Sequence, residues 1–109
     1  MSKTKDKPLI YVAEPSRVLS KIISTELEKL GYEVHSFDDG FSVLKSLISE
    51  TPKLLITDKQ LPKIDGMELC NIIKSGSSKN DIPIILISGI IRHLQIRQFQ
   101  FQTIISKLC

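Results

Sequence analysis

Leu54-Leu55-Ile56-Thr57-Asp58-Lys59-Gln60-Leu61-Pro62-Lys63-Ile64-Asp65-Gly66 is the stretch from which the fold can be read. Its first four residues form an apolar, β-branched run of the length expected for a strand covered on both faces, and the run ends on an acid. Leu61-Pro62 and Gly66 interrupt any regular repeat, so residues 59–65 predict a loop that delivers the chain into a helix. Strand and helix go on alternating to either side.

Upstream, Pro8-Leu9-Ile10-Tyr11-Val12-Ala13 predicts a first strand, and Glu14-Pro15-Ser16 opens a helix, since proline is tolerated in the first turn. Val18, Leu19, Ile22, Ile23, Leu27 and Leu30 recur at spacings of three and four along it, and Gly31 stops it. Tyr32 to Phe37 alternates imperfectly, as a strand near a sheet edge would. Asp38-Asp39-Gly40 supplies helix-start chemistry, after which Phe41, Leu44, Leu47 and Ile48 mark a second amphipathic helix. Downstream of the loop, Met67, Leu69, Cys70, Ile72 and Ile73 lie on a third helix, and residues 82–87 form a fourth strand that ends on Ser88-Gly89. Such alternation without hairpin signals implies right-handed crossovers and a doubly wound α/β fold around a parallel sheet.

Composition narrows the functional classes. The 109 residues, 41% hydrophobic and 25% charged, suit one globular domain with a packed core. No apolar run approaches the roughly 18 residues needed to cross a bilayer. The basic tail, residues 1–7, lacks the apolar region of a signal peptide, so a cytoplasmic protein without membrane contact is expected. Cys70 and Cys109 match no ligand spacing or disulfide framework and read as reduced thiols. The net charge of +3 comes from Arg92, Arg97 and Lys107, because residues 1–88 carry 12 basic groups (15 less 3) against 12 acidic ones. Three dispersed cations are a weak footprint for a polyanion, and no nucleic-acid partner is expected. A small enzyme of another type is disfavoured, since no glycine-rich phosphate loop or Ser/His/Asp arrangement appears. His35 and His93 read as surface or packing residues.

In an open parallel sheet, function collects beyond the carboxyl ends of the strands. Those ends are Ala13-Glu14, Asp58 and Ser88-Gly89. Any one of them is ordinary turn chemistry, but together they set two carboxylates and a hydroxyl on one rim. This combination suits phosphoryl transfer, in which a carboxylate attacks phosphorus while a cation and hydrogen-bond donors neutralise the phosphoryl oxygens. Mg²⁺ accepts such oxygen donors and keeps waters in its remaining positions.

With these residues the chain resembles the response-regulator receiver family, including stand-alone members such as the chemotaxis regulator, over residues 8 to about 90. Residues Asp58 to Gly66 carry the match: a phosphoacceptor, two variable residues, an apolar residue, proline, and a glycine four further on. The resemblance implies a flavodoxin-like receiver (βα)5 topology with strand order 2-1-3-4-5. It implies a phosphoprotein of a two-component phosphorelay rather than an enzyme, with intrinsic autophosphatase activity left open. Asp58 would receive its phosphoryl group from a histidine kinase or phosphotransfer protein. Mg²⁺ would be held by Glu14, Asp58 and the carbonyl oxygen of Gln60, and Ser88 would be the hydroxyl that turns inward when phosphate arrives.

Two departures qualify this. The family places two adjacent acids after the first strand, whereas here Ala13 stands in the first position and only Glu14 remains, which predicts weaker metal binding. Glu14 as a plain helix cap stays an alternative. After Ser88 the family pattern is a helix, a fifth strand ending in Lys-Pro and a last helix, whereas residues 89–109 are glutamine-rich and short. Residues 97–103 alternate as a strand that Ile104-Ile105-Ser106-Lys107 continues, making Lys107 a candidate phosphate contact although Leu108 follows it. The expected organisation is thus a tail over 1–7 and one receiver domain over 8–109. Its segment 89–109 is atypical and truncated, with the last helix absent and the fifth strand open. A sheet face lacking that cover predicts a homodimer or strand exchange. Two functions remain: a single-domain receiver that signals to a downstream protein through protein contact, or a pseudo-receiver that acts as an interaction module without phosphorylation.

Overall fold

The computed structural model describes residues 7–76 and 78–87 in full and residues 105–108 by their backbone. Five strands form one sheet: β1 (Leu9–Ala13), β2 (Glu33–Phe37), β3 (Leu54–Asp58), β4 (Ile84–Ile87) and β5 (Ile105–Leu108). Their order is β2-β1-β3-β4-β5. The first four are mutually parallel, as the alternation predicts, and Tyr11 of β1 is flanked by His35 on one side and Leu55 on the other.

Strand direction at the far edge departs from a (βα)5 pattern. β5 runs antiparallel to β4, with Ile85 opposite Leu108 and Leu86 opposite Lys107, and a register shift between Leu86 and Ile87. A parallel neighbour requires the chain to cross the whole sheet before pairing, whereas an antiparallel strand starts at the end where its neighbour finishes. Antiparallel edges of this kind are common on otherwise parallel sheets. The strand expected over 97–103 lies outside the described residues, as do Ser88, Gly89 and the tail 1–6.

Helices begin at side-chain oxygens that replace missing backbone partners. Ser16 accepts from the Leu19 N–H at 3.3 Å at the head of α1 (Arg17–Lys29). Asp39 accepts from Ser42 at 2.7 Å before α2 (Gly40–Leu47), and Asp65 from Glu68 at 2.9 Å before α3 (Gly66–Ser75). α1 covers one face of the sheet, packing Leu19, Ile23 and Leu27 onto Ile10, Val12 and Ile56. α2 and α3 cover the other, burying Val43, Leu47, Leu69 and Ile73 against Tyr11, Leu55 and Ile84.

The structure buries only part of each predicted apolar stripe. Val18 and Leu30 of the first stripe are exposed, as are Phe41 and Ile48 of the second, while Val43 takes the buried place on α2. Cys70 is buried in α3 and disulfide-bonded rather than reduced, its partner lying outside the described residues. Among the described residues no helix is long and apolar enough to cross a membrane.

Candidate phosphoacceptor site

Strand register builds the site. Ala13 pairs with Thr57, so the next residues on the two strands, Glu14 and Asp58, stand level at the carboxyl rim. The Glu14 N–H donates to the Phe37 carbonyl at 2.9 Å, extending the β1–β2 ladder by one residue and fixing Glu14 in place. Both acids are buried, Glu14 at 1% exposure and Asp58 at 0%. Placing two carboxylates in such a position concentrates negative charge where water is scarce, an arrangement that favours a bound cation.

The loop after Asp58 folds back over it. The Gln60 N–H donates to Asp58 Oδ1 at 2.9 Å, and the Lys59 N–H donates to the Ile87 carbonyl at 3.1 Å. Leu61 is buried and Ile64 packs on the core beneath α2 and α3, so the loop is anchored by apolar contact as well. Lys63 adopts a φ of 69°, the left-handed turn that reverses the chain towards α3. Gly66 closes the loop, its N–H donating to the Lys59 carbonyl at 2.8 Å. A Cβ at Gly66 would lie 2.2 Å from the main-chain oxygen of Asp58, so the close approach requires glycine.

The same loop is fastened to the start of α2. The Gly40 N–H donates to the Pro62 carbonyl at 3.2 Å, and Lys63 Nζ stands 3.8 Å from Asp39 Oδ2. The Ser42 N–H that Asp39 accepts holds its carboxyl below the usual carboxylate range, and the nearby Lys63 ammonium adds to this. Asp39 and Lys63 escaped the sequence reading as site neighbours. The signal was an acid directly before the glycine that starts a helix, which reads equally well as a plain cap.

Of the residues predicted for the site, Glu14, Asp58 and the backbone of Gln60 come together. Ser88 follows β4 but lies outside the described residues. The backbone of Lys107 is opposite Leu86, which itself pairs with Thr57, so it is level with the residue before Asp58 and two strands away. Its side chain lies outside the described residues. Ala13 is fully buried in the core with Tyr11 and Leu55. The rim position after Glu14 belongs to Pro15, which offers no side-chain oxygen.

The donor set fits Mg²⁺ sparingly, with two carboxylates, Glu14 and Asp58, level on one rim. Among the described residues no group of three His, Cys, Asp or Glu side chains could hold a metal ion. Glu14 Oε2 also accepts from the Ser16 N–H at 2.8 Å, so this acid helps to organise the start of α1. One such bond leaves a carboxylate with further acceptor sites. Beside Glu14 a groove of about 640 Å³ opens along α1 and the β2–α2 connection, with Arg17, Lys21 and Asp38 among its walls.

A buried acid at the end of the third strand of a 2-1-3-4 parallel sheet, under a loop closed by glycine, defines a receiver domain, and the family model for the response regulator receiver domain matches residues 10–107. The chain belongs to this family of two-component signal transduction. It is 36% identical over 90 residues to the probable transcriptional regulator ycf27 of Galdieria sulphuraria, a match that covers 83% of this chain and 34% of that protein. The chain therefore spans about a third of the length of that regulator. The signal receiver domain of a signal transduction histidine kinase from Syntrophus aciditrophicus superposes with a TM-score of 0.72 at 29% identity, covering 73% of this chain and 61% of that one. The phosphorylated cyanobacterial phytochrome response regulator RcpA gives a TM-score of 0.70 at 26% identity, with coverage of 75% and 65%. Receiver domains of this family are phosphoacceptor signalling domains that work with histidine kinases or phosphotransfer proteins and generally bind Mg²⁺.

Proposed function

We propose that this chain accepts a phosphoryl group on Asp58 from a histidine kinase or phosphotransfer protein and signals by changing a protein contact surface. The observation that carries the reading is the position of Asp58, buried at the end of β3 and level with Glu14, under a loop whose Gln60 N–H binds its carboxylate. In the reaction an Asp58 oxygen bonds to phosphorus as the phosphorus–nitrogen bond of a phosphohistidine breaks, leaving an acyl phosphate on Asp58 and the histidine free.

Glu14, the Asp58 carboxylate and the Gln60 carbonyl would hold Mg²⁺, which when bound neutralises phosphoryl charge. The chain's own residues supply the rest. Gln60 orients the acceptor and Gly66 keeps the loop close, while Ser88, directly after β4, takes the family's hydroxyl position and Lys107 is the candidate for its lysine. A regulated receiver in which the surface of α2 responds is supported by the two links from the phosphoacceptor loop to Asp39 and Gly40.

The second reading, a pseudo-receiver that acts through binding alone, is favoured by one specific feature: Ala13, buried just before Glu14, stands where the family pattern has the other acid, which leaves the metal site one carboxylate short. Incubation with acetyl phosphate and Mg²⁺ separates the two. Intact mass gains one phosphoryl group in the first case, and Asp58→Asn abolishes the gain. An unchanged mass for the folded wild-type chain establishes the pseudo-receiver.

A further inference from the structure

The second helix carries more apolar residues than the core uses. Val43 and Leu47 point inward, while Phe41 is 49% and Ile48 85% exposed. Phe41, Leu44 and Ile48 are spaced by three and four residues, so they form a second stripe on the same helix. Ile72 of α3, 39% exposed, stands across from it. Between the two helices lies a cleft of about 280 Å³ walled by Leu44, Ile48, Ile72 and Ile73, with Lys79 at its end. Exposed apolar side chains gathered around a concavity mark a recognition site rather than scattered surface hydrophobes.

Charge identifies the occupant. α2 contains no acidic residue. Lys45 stands 5.9 Å from the centre of the Phe41 ring, and Lys79 donates to the Glu50 carbonyl and the Thr51 hydroxyl, both uncharged. Among the described residues neither lysine is ion-paired with a carboxylate. Glu68 is the one acid of α3, a turn from Ile72 towards the phosphoacceptor end. Lys79 lines the cleft, Lys45 flanks its α2 wall next to Leu44, and the nearby Glu50 commits its carboxylate to Tyr11 and His35, so the cleft is apolar with a cationic edge.

We propose that the α2–α3 cleft docks an acidic amphipathic helix of a partner protein. A ridge of leucine-like side chains at helical spacing fills the cleft, and carboxylates beside the ridge meet Lys45 and Lys79. A second copy of this chain is a poor occupant, because it brings the same lysines against themselves, and the tail containing Lys3, Lys5 and Lys7 has the same sign. A membrane surface suits a protruding apolar patch rather than a concave one.

Methyl-labelled full-length chain and a probe peptide of about 15 residues, long enough to sustain a helix on binding, provide the test. The probe carries Leu at positions i, i+3, i+4 and i+7 and Glu on its other face. Expected are shifts confined to the methyls of Leu44, Ile48, Ile72 and Ile73, and affinity about tenfold lower when Lys replaces Glu in the peptide or when salt screens the pair. Ile48→Glu loses binding yet melts as the wild type does, since the side chain is exposed. The proposal is overturned by equal binding of the Glu and Lys peptides or by shifts located elsewhere. It is equally overturned if the folded chain shows no shift, if the same methyls shift with protein concentration alone, which would seat a second copy there, or if only anionic vesicles perturb them.

Discussion

At the residue scale, the least visible feature in the sequence is the contact between Tyr11 and Glu50, 39 positions apart. Tyr11 is fully buried, its hydroxyl donates to Glu50 Oε1 at 2.6 Å, and its ring stacks on His35 with centroids 6.0 Å apart. His35 in turn lies 3.2 Å from Glu50 and 3.0 Å from Glu33, a packing role in keeping with the sequence reading. Burial, reinforced by the Glu50 contact, pushes the Tyr11 hydroxyl well above its ordinary value of 10.0. The unfolded chain then loses this proton near pH 10 while the folded chain keeps it. The stability that Tyr11 contributes is therefore full below pH 10 and falls as pH rises beyond it. For Glu50 the sign is opposite: the Tyr11 hydroxyl holds its carboxyl below 4.5, so its contribution is present above that pH and fades as pH falls through the lowered value. Urea unfolding of Tyr11→Phe at neutral pH should show a loss of about 1 kcal/mol, the usual worth of such a hydrogen bond when the acceptor stays partly solvated. The same variant should lose stability less steeply above pH 10. The placement of Asp58 at the end of a buried strand, in contrast, was legible from sequence because it needs only neighbours in the chain.

At the element scale, the loop from Lys59 to Asp65 shows how little free space the site has. Gly66 and Gly40 admit backbone oxygens where a methyl group would lie 2.2 Å away, from Asp58 in one case and Ile64 in the other. Gly66→Ala should cost about 1–3 kcal/mol, the range for overpacking against atoms that cannot step aside. It should also slow phosphorylation by acetyl phosphate, because the displaced atom belongs to Asp58, the proposed acceptor. Gly76 is the control: a Cβ there meets the Ile73 oxygen at 3.5 Å, an ordinary contact, so Gly76→Ala should leave thermal stability and phosphorylation near wild type. The helices were legible as elements from caps and periodicity, but their inward faces were not. Phe41 and Val43 are both apolar and two residues apart, on nearly opposite sides of α2. Only the position of the sheet decides which of them is buried.

At the scale of the whole molecule, alternation of strand and helix was sufficient to predict a parallel sheet covered on both faces, because short apolar strands joined by helical crossovers have few other ways to bury both faces, while the order 2-1-3-4 followed from the family resemblance. The direction of β5 was not legible, since a strand's own residues do not encode which way it enters the sheet. The order makes a measurable prediction. β1 and β3 have hydrogen-bonded neighbours on both sides, whereas β2 is an edge. Amide exchange should be slowest in Tyr11–Val12 and Leu55–Ile56 and faster along β2. Comparable protection in β2 and β1 would mean that something covers the edge.

Parallel order also sets the electrical character of the rim. α1, α2 and α3 each follow a strand that ends there, so all three begin on the side of the molecule where Asp58 lies. A helix carries roughly half an elementary positive charge at its N-terminus, and three beginning on one side make that rim the positive pole of the backbone field. Part of the attraction for an arriving dianion thus resides in the main chain, partly offsetting Glu14, Asp39, Asp58 and Asp65, and it survives any side-chain substitution that leaves the three helices in place.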